Sequence, residues 1–196
     1  MDCTGDPGHT ETLVDLHRYL VLDFEAQALL FREARMSNTS TGETVIEAQF
    51  EAVYDLLRFA PTSIIQPLRM PVMRLDEARA RLLAHAWERD QEKTASALVS
   101  VVPAADLDLH EKLPVVFPHV PNVRNPFADP VARAESAQFI AAVQVGYFVP
   151  RGQGGGTGVP DGRCVALLVV NIGRPGLHVR LPRLPRLAFD EVTTGV

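Results

Sequence analysis

Ala97-Leu-Val-Ser-Val-Val102 runs almost wholly apolar into Pro103, and this short stretch limits the fold more than any other. An apolar run closed by a proline is consistent with a strand covered on both faces, so other elements must pack on each side of it. Helical spacing begins around Thr12 and marks an apolar face at Leu22, Ala26, Leu29 and Leu30. Ile46, Phe50, Val53, Tyr54 and Leu57 predict a second helix, from Ile46 to Phe59, that buries Phe50, Val53 and Leu57 and stops at Pro61. Met70 to Arg74 suits a short strand, with Pro71 favouring an edge or an end, and Leu75 to Trp87 returns to helical spacing. From Pro103 to Pro130 the chain is proline-rich and is expected to be irregular, an excursion of the kind that covers a site or an interface. Phe139, Val143 and Tyr147 put an apolar stripe on a helix from about Val131 to Phe148. A glycine-rich loop follows over Pro150 to Gly158, then a buried strand from Cys164 to Ile172 and an extended tail from Leu181 to Pro185. Residues 1–10 are polar and read as a disordered arm, leaving 11–196 as a single domain.

Composition removes several function classes. With 196 residues, 46% hydrophobic and 22% charged, the chain is long enough to bury a sizeable core. Its net charge of −5 leaves no basic footprint for nucleic acid. Cys3 and Cys164 are the only cysteines, too few for a secreted disulfide framework, which points to reduced thiols in the cytoplasm. The acidic start has no apolar core and the longest apolar stretch is too short for a bilayer, so neither a signal peptide nor a membrane span is expected. His110-Glu111 lacks the second histidine of a zinc helix, and no histidine has ligand spacing. No serine sits in a nucleophile elbow, and Cys164 reads as a packed thiol. Gly152 to Gly158 fits neither a dinucleotide fingerprint nor a phosphate loop.

The remaining signals are cations and short polar groups. Arg35 and Ser37 stand in Ala34-Arg-Met-Ser-Asn38, Lys93 in Asp90-Gln-Glu-Lys-Thr94, and Arg180, Arg183 and Arg186 recur along a proline-spaced tail. Taken alone, each has a plainer explanation. Arginine before Ser-Asn is an ordinary helix C-terminus, Arg89 to Lys93 a solvated mixed-charge stretch, and three arginines at that period an exposed edge or a partner-binding surface.

Taken together with Glu111-Lys-Leu-Pro-Val-Val-Phe-Pro-His119 and Leu184-Pro-Arg-Leu-Ala-Phe-Asp190, these strings resemble the flavin-dependent nitroreductase family. The likeness runs from about Leu29 to Val192 and is nearest to the branch that includes malonic semialdehyde reductase. It implies an α+β nitroreductase-like fold, with helices around a small mixed β-sheet, and a homodimer that builds flavin sites across its interface. It also implies FMN as cofactor, NADH or NADPH as electron donor, and a small acceptor such as malonic semialdehyde or a nitroarene, reduced by ping-pong hydride transfer that needs no side-chain nucleophile. By the same resemblance Arg35, Arg183 and Arg186 are phosphate ligands, Ser37 bonds nearby, and Lys93 approaches the pyrimidine edge of the ring. Pro61, Thr62, Ser63 and Gln66 match a motif that reaches the neighbouring subunit's flavin.

Three departures matter. Asp90 stands where the family has asparagine, and an ionised carboxylate can only accept a hydrogen bond where an amide can donate. Ile64-Ile65 replaces a segment that usually carries asparagine. The family's loop of the type Gly-Pro-Met-x-Gly-Phe-Asp, which lies against the flavin, is missing, and the glycine-rich stretch after Phe148 is far shorter. These features leave open a protein that keeps the dimeric scaffold without the flavin and serves as a binding or partner subunit, or a truncated inactive copy.

Overall fold

The computed structural model describes residues 21–33, 37, 39–62, 64–148, 162–176 and 185–194. The arm expected over 1–10, the helix start near Thr12, the loop 150–158 and the tail 181–184 lie outside them.

Three chain segments run side by side and form the centre of the fold. The first holds β1 (Leu68–Arg69) and β2 (Val72–Met73), the second β3 (Val99–Val101) and β4 (Ala104–Asp106), and the third β5 (Cys164–Ala166) and β6 (Val170–Ile172). The second lies in the middle, giving the orders β1-β4-β5 and β2-β3-β6, with antiparallel pairing throughout the described residues. The break falls at the same level in each segment, and proline explains it for two of them. Pro71 and Pro103 have no N–H to give to a ladder. Their carbonyls still accept, from the N–H of Val102 at 3.0 Å and of Leu167 at 2.8 Å, so the segments remain joined across the gap.

One edge keeps its register through the gap and the other does not. Leu68 faces Ala105 and Met73 faces Ser100, a single unbroken alignment. On the opposite edge Ile172 faces Val99, while Cys164 faces Asp106, so residues 167–169 stand opposite only Val102 and Pro103. That is a β-bulge, which bends the strand, and it corrects the expected continuous strand from Cys164 to Ile172. The described part of that segment is also only half-buried, apart from Val170. The apolar run at 97–102 does form the buried centre, with Val99, Ser100 and Val101 all inaccessible.

Helices cover this core. α1 (Phe24–Gln27) is capped by Asp23, whose carboxylate accepts from the Ala26 N–H at 2.8 Å, and it runs into a wider turn over Ala28–Arg32. α2 (Glu47–Leu57) forms close to its expected span, with Gln49 Oε1 accepting from the Ile46 N–H. Leu57 is buried and Phe50 packs on the Val99–Val101 cluster, whereas Val53 is exposed. The helix expected over 75–87 ends early, as α3 (Asp76–Leu83). Trp87 then takes an extended conformation and starts a separate helix, α4 (Glu88–Ser96), so the Asp90–Thr94 motif is helical rather than a solvated helix end.

The proline-rich stretch is more ordered than its composition suggests. It opens with β4, which continues the ladder beyond Pro103, and then folds through α5 (Leu113–Val116). Leu109, Leu113 and Val123 bury themselves against Ile65, Ala105 and α6 (Pro130–Phe148), so this excursion closes the core. α6 packs through small residues, with Ala137 and Ala141 fully buried, and Gln144 Oε1 accepts from the Leu68 N–H at 3.3 Å. The Phe139 and Tyr147 stripe points outward, at 68% and 62% exposure. A final turn, α7 (Phe189–Val192), is exposed.

Asp129 sets where α6 begins, its carboxylate accepting from the N–H groups of Val131 and Ala132 at 2.9 and 2.8 Å. Asp129→Ala is expected to cost about 1 kcal/mol, lowering Tm by roughly 2–4 °C for a chain of this size, as a thermal melt will report. No described helix is long and apolar enough to cross a membrane.

Candidate functional site

Three segments named from the sequence meet at the C-terminal end of α4. The Ser40 N–H donates to Ser96 Oγ at 3.3 Å, and Ser96 Oγ donates to the Lys93 carbonyl at 3.2 Å. The loop after Arg35 is thus laid against the last turn of the lysine-bearing helix. On its other side that loop pairs with the segment leading to the arginine-rich tail. Ser40 bridges Pro175, the Thr41 N–H donates to the Arg174 carbonyl at 2.9 Å, and the Gly176 N–H donates to the Thr39 carbonyl at 2.8 Å.

The approach is close enough to require glycine. A Cβ on Gly176 would stand 2.4 Å from Thr39 Oγ1 and 3.2 Å from the Thr39 carbonyl oxygen, and one on Gly173 would stand 3.1 Å from Ser40 Oγ. Gly176→Ala is therefore expected to destabilise the protein by about 1–3 kcal/mol through overpacking, measured by denaturant titration, while Gly42→Ala, where a Cβ meets nothing, changes little.

Within α4, Lys93 Nζ and Asp90 Oδ1 form an ion pair at 2.5 Å, with side chains only 16% and 15% exposed. The spacing of three residues puts both groups on one helix face. The next residue ties this helix to the sheet. Asn171 Nδ2 on β6 donates to the buried Thr94 Oγ1 at 3.0 Å, and Ser100 Oγ on β3 donates to Asn171 Oδ1 at 2.8 Å. Thr94 and Ser100 are almost inaccessible, so this chain of bonds fixes α4 where water cannot compete. The sequence reading assigned no role to Thr39, Ser40, Thr94, Ser96 or Asn171. A polar residue inside Val169-Val-Asn-Ile172 was the available signal for the last.

Other site residues are dispersed. Ser37 Oγ donates to the Thr39 carbonyl at 2.7 Å. Pro61 and Gln66 are exposed and Thr62 half-buried, on a loop anchored by Ile65 in the core cluster beneath α6 rather than the cluster beside β6. Arg186 is exposed, with Nη1 donating to the Pro185 carbonyl at 3.0 Å. Arg35, Ser63, Arg180 and Arg183 lie outside the described residues. A neighbouring groove of about 260 Å³ lies between α2 and β6, floored by Phe50, Val53 and Ile172 and rimmed by the exposed Arg174–Glu43 pair. Its lining contains none of the site residues named from the sequence. Among the described residues no cluster of histidine, cysteine and carboxylate side chains could hold a metal ion.

Chemically, the meeting point offers hydroxyls and backbone groups, beside a helix that carries the Lys93–Asp90 ion pair. Thr39 Oγ1, pressed against Gly176, is buried without a hydrogen-bond partner among the described residues, so one donor there is unspent.

No protein-family model matches the chain. Two Streptomyces proteins named as NADH dehydrogenase/NAD(P)H nitroreductases, from S. coelicolor and S. griseus, are each 43% identical to it over 194 residues, covering 90% of this chain and 99% of theirs. A Leptothrix cholodnii protein of the same name is 34% identical, covering 86% of this chain and 95% of its own. Among solved structures, a Bacillus subtilis nitroreductase superposes with a TM-score of 0.74 at 12% identity, covering 89% of this chain and all of the other. An Exiguobacterium sibiricum nitroreductase in complex with FMN gives 0.69 at 16% identity, covering 89% and 97%. At such identities the superpositions establish a shared α+β fold. The sequence relatives establish descent, and the chain belongs to the NADH dehydrogenase/NAD(P)H nitroreductase family.

Proposed function

We propose that this protein is an FMN-dependent NAD(P)H oxidoreductase that reduces a small acceptor, an aldehyde of the malonic semialdehyde type or a nitro compound, by a ping-pong exchange. The observation that carries this reading is the convergence of the Ser37–Thr41 loop, the Lys93 end of α4 and the 173–176 segment, within a family whose named members are NAD(P)H nitroreductases. The residues present suit the cofactor. FMN brings a phosphate dianion, a ribityl chain of hydroxyls and a ring that becomes more negative on reduction, and this region offers hydroxyls, an unspent buried donor and a helix that carries Lys93.

When bound, FMN supplies the hydride relay between nicotinamide and acceptor. Arg35, Arg183 and Arg186 hold the phosphate by charge-assisted hydrogen bonds, and Ser37 bonds beside them. Lys93 stabilises negative charge at the pyrimidine edge. Pro61, Thr62, Ser63 and Gln66 serve the partner subunit's site, and the exposure of Pro61 and Gln66 on a core-anchored loop supports that. Homodimer formation is further supported by apolar side chains left exposed on two helices and the loop following α2, Phe139 and Tyr147 on α6, Tyr54 and Leu56 on α2, and Phe59 beyond it, since exposed apolar surface on such a scale marks an interface. A cytoplasmic setting suits a sequence with only two cysteines, too few for a disulfide framework.

The rival reading, a scaffold that no longer uses flavin, is favoured by Asp90, which occupies the cation that flavin would need. Anaerobic mixing decides between them. NADH or NADPH should bleach the visible absorption of FMN held by the protein, and a nitroarene or small aldehyde should restore it. Bound FMN that neither nucleotide reduces would contradict the proposal.

A further inference from the structure

We infer that Asp106 is a positioning residue for the cofactor site, one that acts through Arg69 to hold the backbone of Gln66 and so fixes where that residue is presented. The inference rests on the reading of Gln66 as a residue that reaches flavin. Gln66 is exposed, yet it stands between Ile65, which is 2% accessible, and Pro67, which is fully buried. The chain on either side of it is therefore anchored in the interior. Its carbonyl is held as well, because Arg69 Nη1 donates to it at 3.1 Å and to the Leu68 carbonyl at 2.9 Å. The same guanidinium places Nη2 at 2.5 Å from Asp106 Oδ2.

Asp106 is the fixed end of this chain of contacts. Its side chain is only 15% exposed, against 38% for Arg69, and its other oxygen, Oδ1, accepts from the Asp108 N–H at 2.8 Å. Its own N–H donates to the Pro67 carbonyl at 2.8 Å, so β4 holds the 66–69 segment both by backbone and by carboxylate. A guanidinium can serve a carbonyl and a carboxylate at once because its N–H groups form a rigid planar fork. The carboxylate decides where the fork points, since a charge-assisted bond shielded from water is stronger than a bond to a carbonyl. Asparagine at position 106 has a single acceptor oxygen and cannot serve both Arg69 and Asp108. The half-exposed guanidinium then turns toward water and releases Gln66.

The test titrates FMN into the full-length protein and its variants and follows fluorescence quenching. Gln66→Ala should weaken FMN binding by about fivefold, the scale of one hydrogen bond. Asp106→Asn should lose about the same factor, and so should Arg69→Lys, which keeps a cation beside Asp106 but lacks the fork. Asp106→Glu, which returns a carboxylate to the guanidinium, should bind within about twofold of the wild type, and in a Gln66→Ala background Asp106→Asn should change the affinity by less than about twofold. A loss that persists in full in that background means that Asp106 supports the fold in general, and it overturns the inference. Wild-type affinity in Asp106→Asn does the same, as does a loss with glutamate equal to that with asparagine. Should Asp106→Asn fail to fold, Arg69→Lys carries the same comparison with and without Gln66. Gln66→Ala alone separates this failure from that of the underlying reading, because a variant that binds FMN as the wild type does removes Gln66 from the flavin site and this inference with it.

Discussion

Arg35→Ala is expected to weaken FMN binding by about 10- to 150-fold, because a charge-assisted hydrogen bond to phosphate contributes roughly 1.5–3 kcal/mol and about 1.4 kcal/mol is tenfold in affinity. Fluorescence quenching during a flavin titration measures this directly. Riboflavin supplies the control, since it lacks the phosphate. Its weaker binding should change little between wild type and variant. Equal losses for FMN and riboflavin would mean that Arg35 supports the loop rather than the phosphate, and an unchanged FMN affinity would remove Arg35 from the site. Arg183→Ala should behave like Arg35→Ala on the same reading.

Asn171→Leu should be the most destabilising change in the polar interior. It removes the acceptor of the Ser100 hydroxyl and a donor to the Thr94 hydroxyl, in a place where both partners are almost inaccessible. Each buried polar group left unpaired costs about 1–3 kcal/mol, so the loss should reach roughly 2–6 kcal/mol, seen as a fall in the denaturation midpoint at unchanged slope. Adding Ser100→Ala to Asn171→Leu should recover part of it, because the orphaned hydroxyl is then gone. A double variant no more stable than Asn171→Leu alone would mean that water or another group already satisfies Ser100 once Asn171 is lost.

The parts of this fold that were legible in the sequence are those decided locally. The apolar run at 97–102, closed by Pro103, suited a covered strand, and the spacing from Ile46 to Leu57 suited a helix, because both readings need only the segment's own residues. Val53 was misplaced since periodicity identifies an apolar stripe and leaves its covering unspecified. Phe139 and Tyr147 show the same distinction, as α6 buries its alanines and turns its aromatic residues outward. The bulge at 167–169 was out of reach for a different reason. Register belongs to a pair of strands, and nothing within Cys164 to Ile172 records that its partner is one residue shorter.

At the candidate site the reactive residues were easier to name than the groups that hold them. Lys93 stood out by its motif. Its pairing with Asp90 did not, because the spacing of three becomes a contact only within a helix, and the start of α4 at Trp87 was not anticipated. Asp90 therefore read as a carboxylate facing a flavin, when it pairs with the lysine of its own helix. Thr39, Ser96 and Asn171 carry no motif, and their importance follows from which distant segments they join.

The central claim, that this chain is a flavoprotein, is tested most directly by the visible absorption spectrum of the purified protein after incubation with FMN and gel filtration. The account predicts flavin bands that elute with the protein, shifted from those of free FMN, in a stoichiometry approaching one per chain. A protein that elutes colourless, and that leaves FMN fluorescence unquenched even at high protein concentration, would contradict it and assign the chain to the flavin-free scaffold.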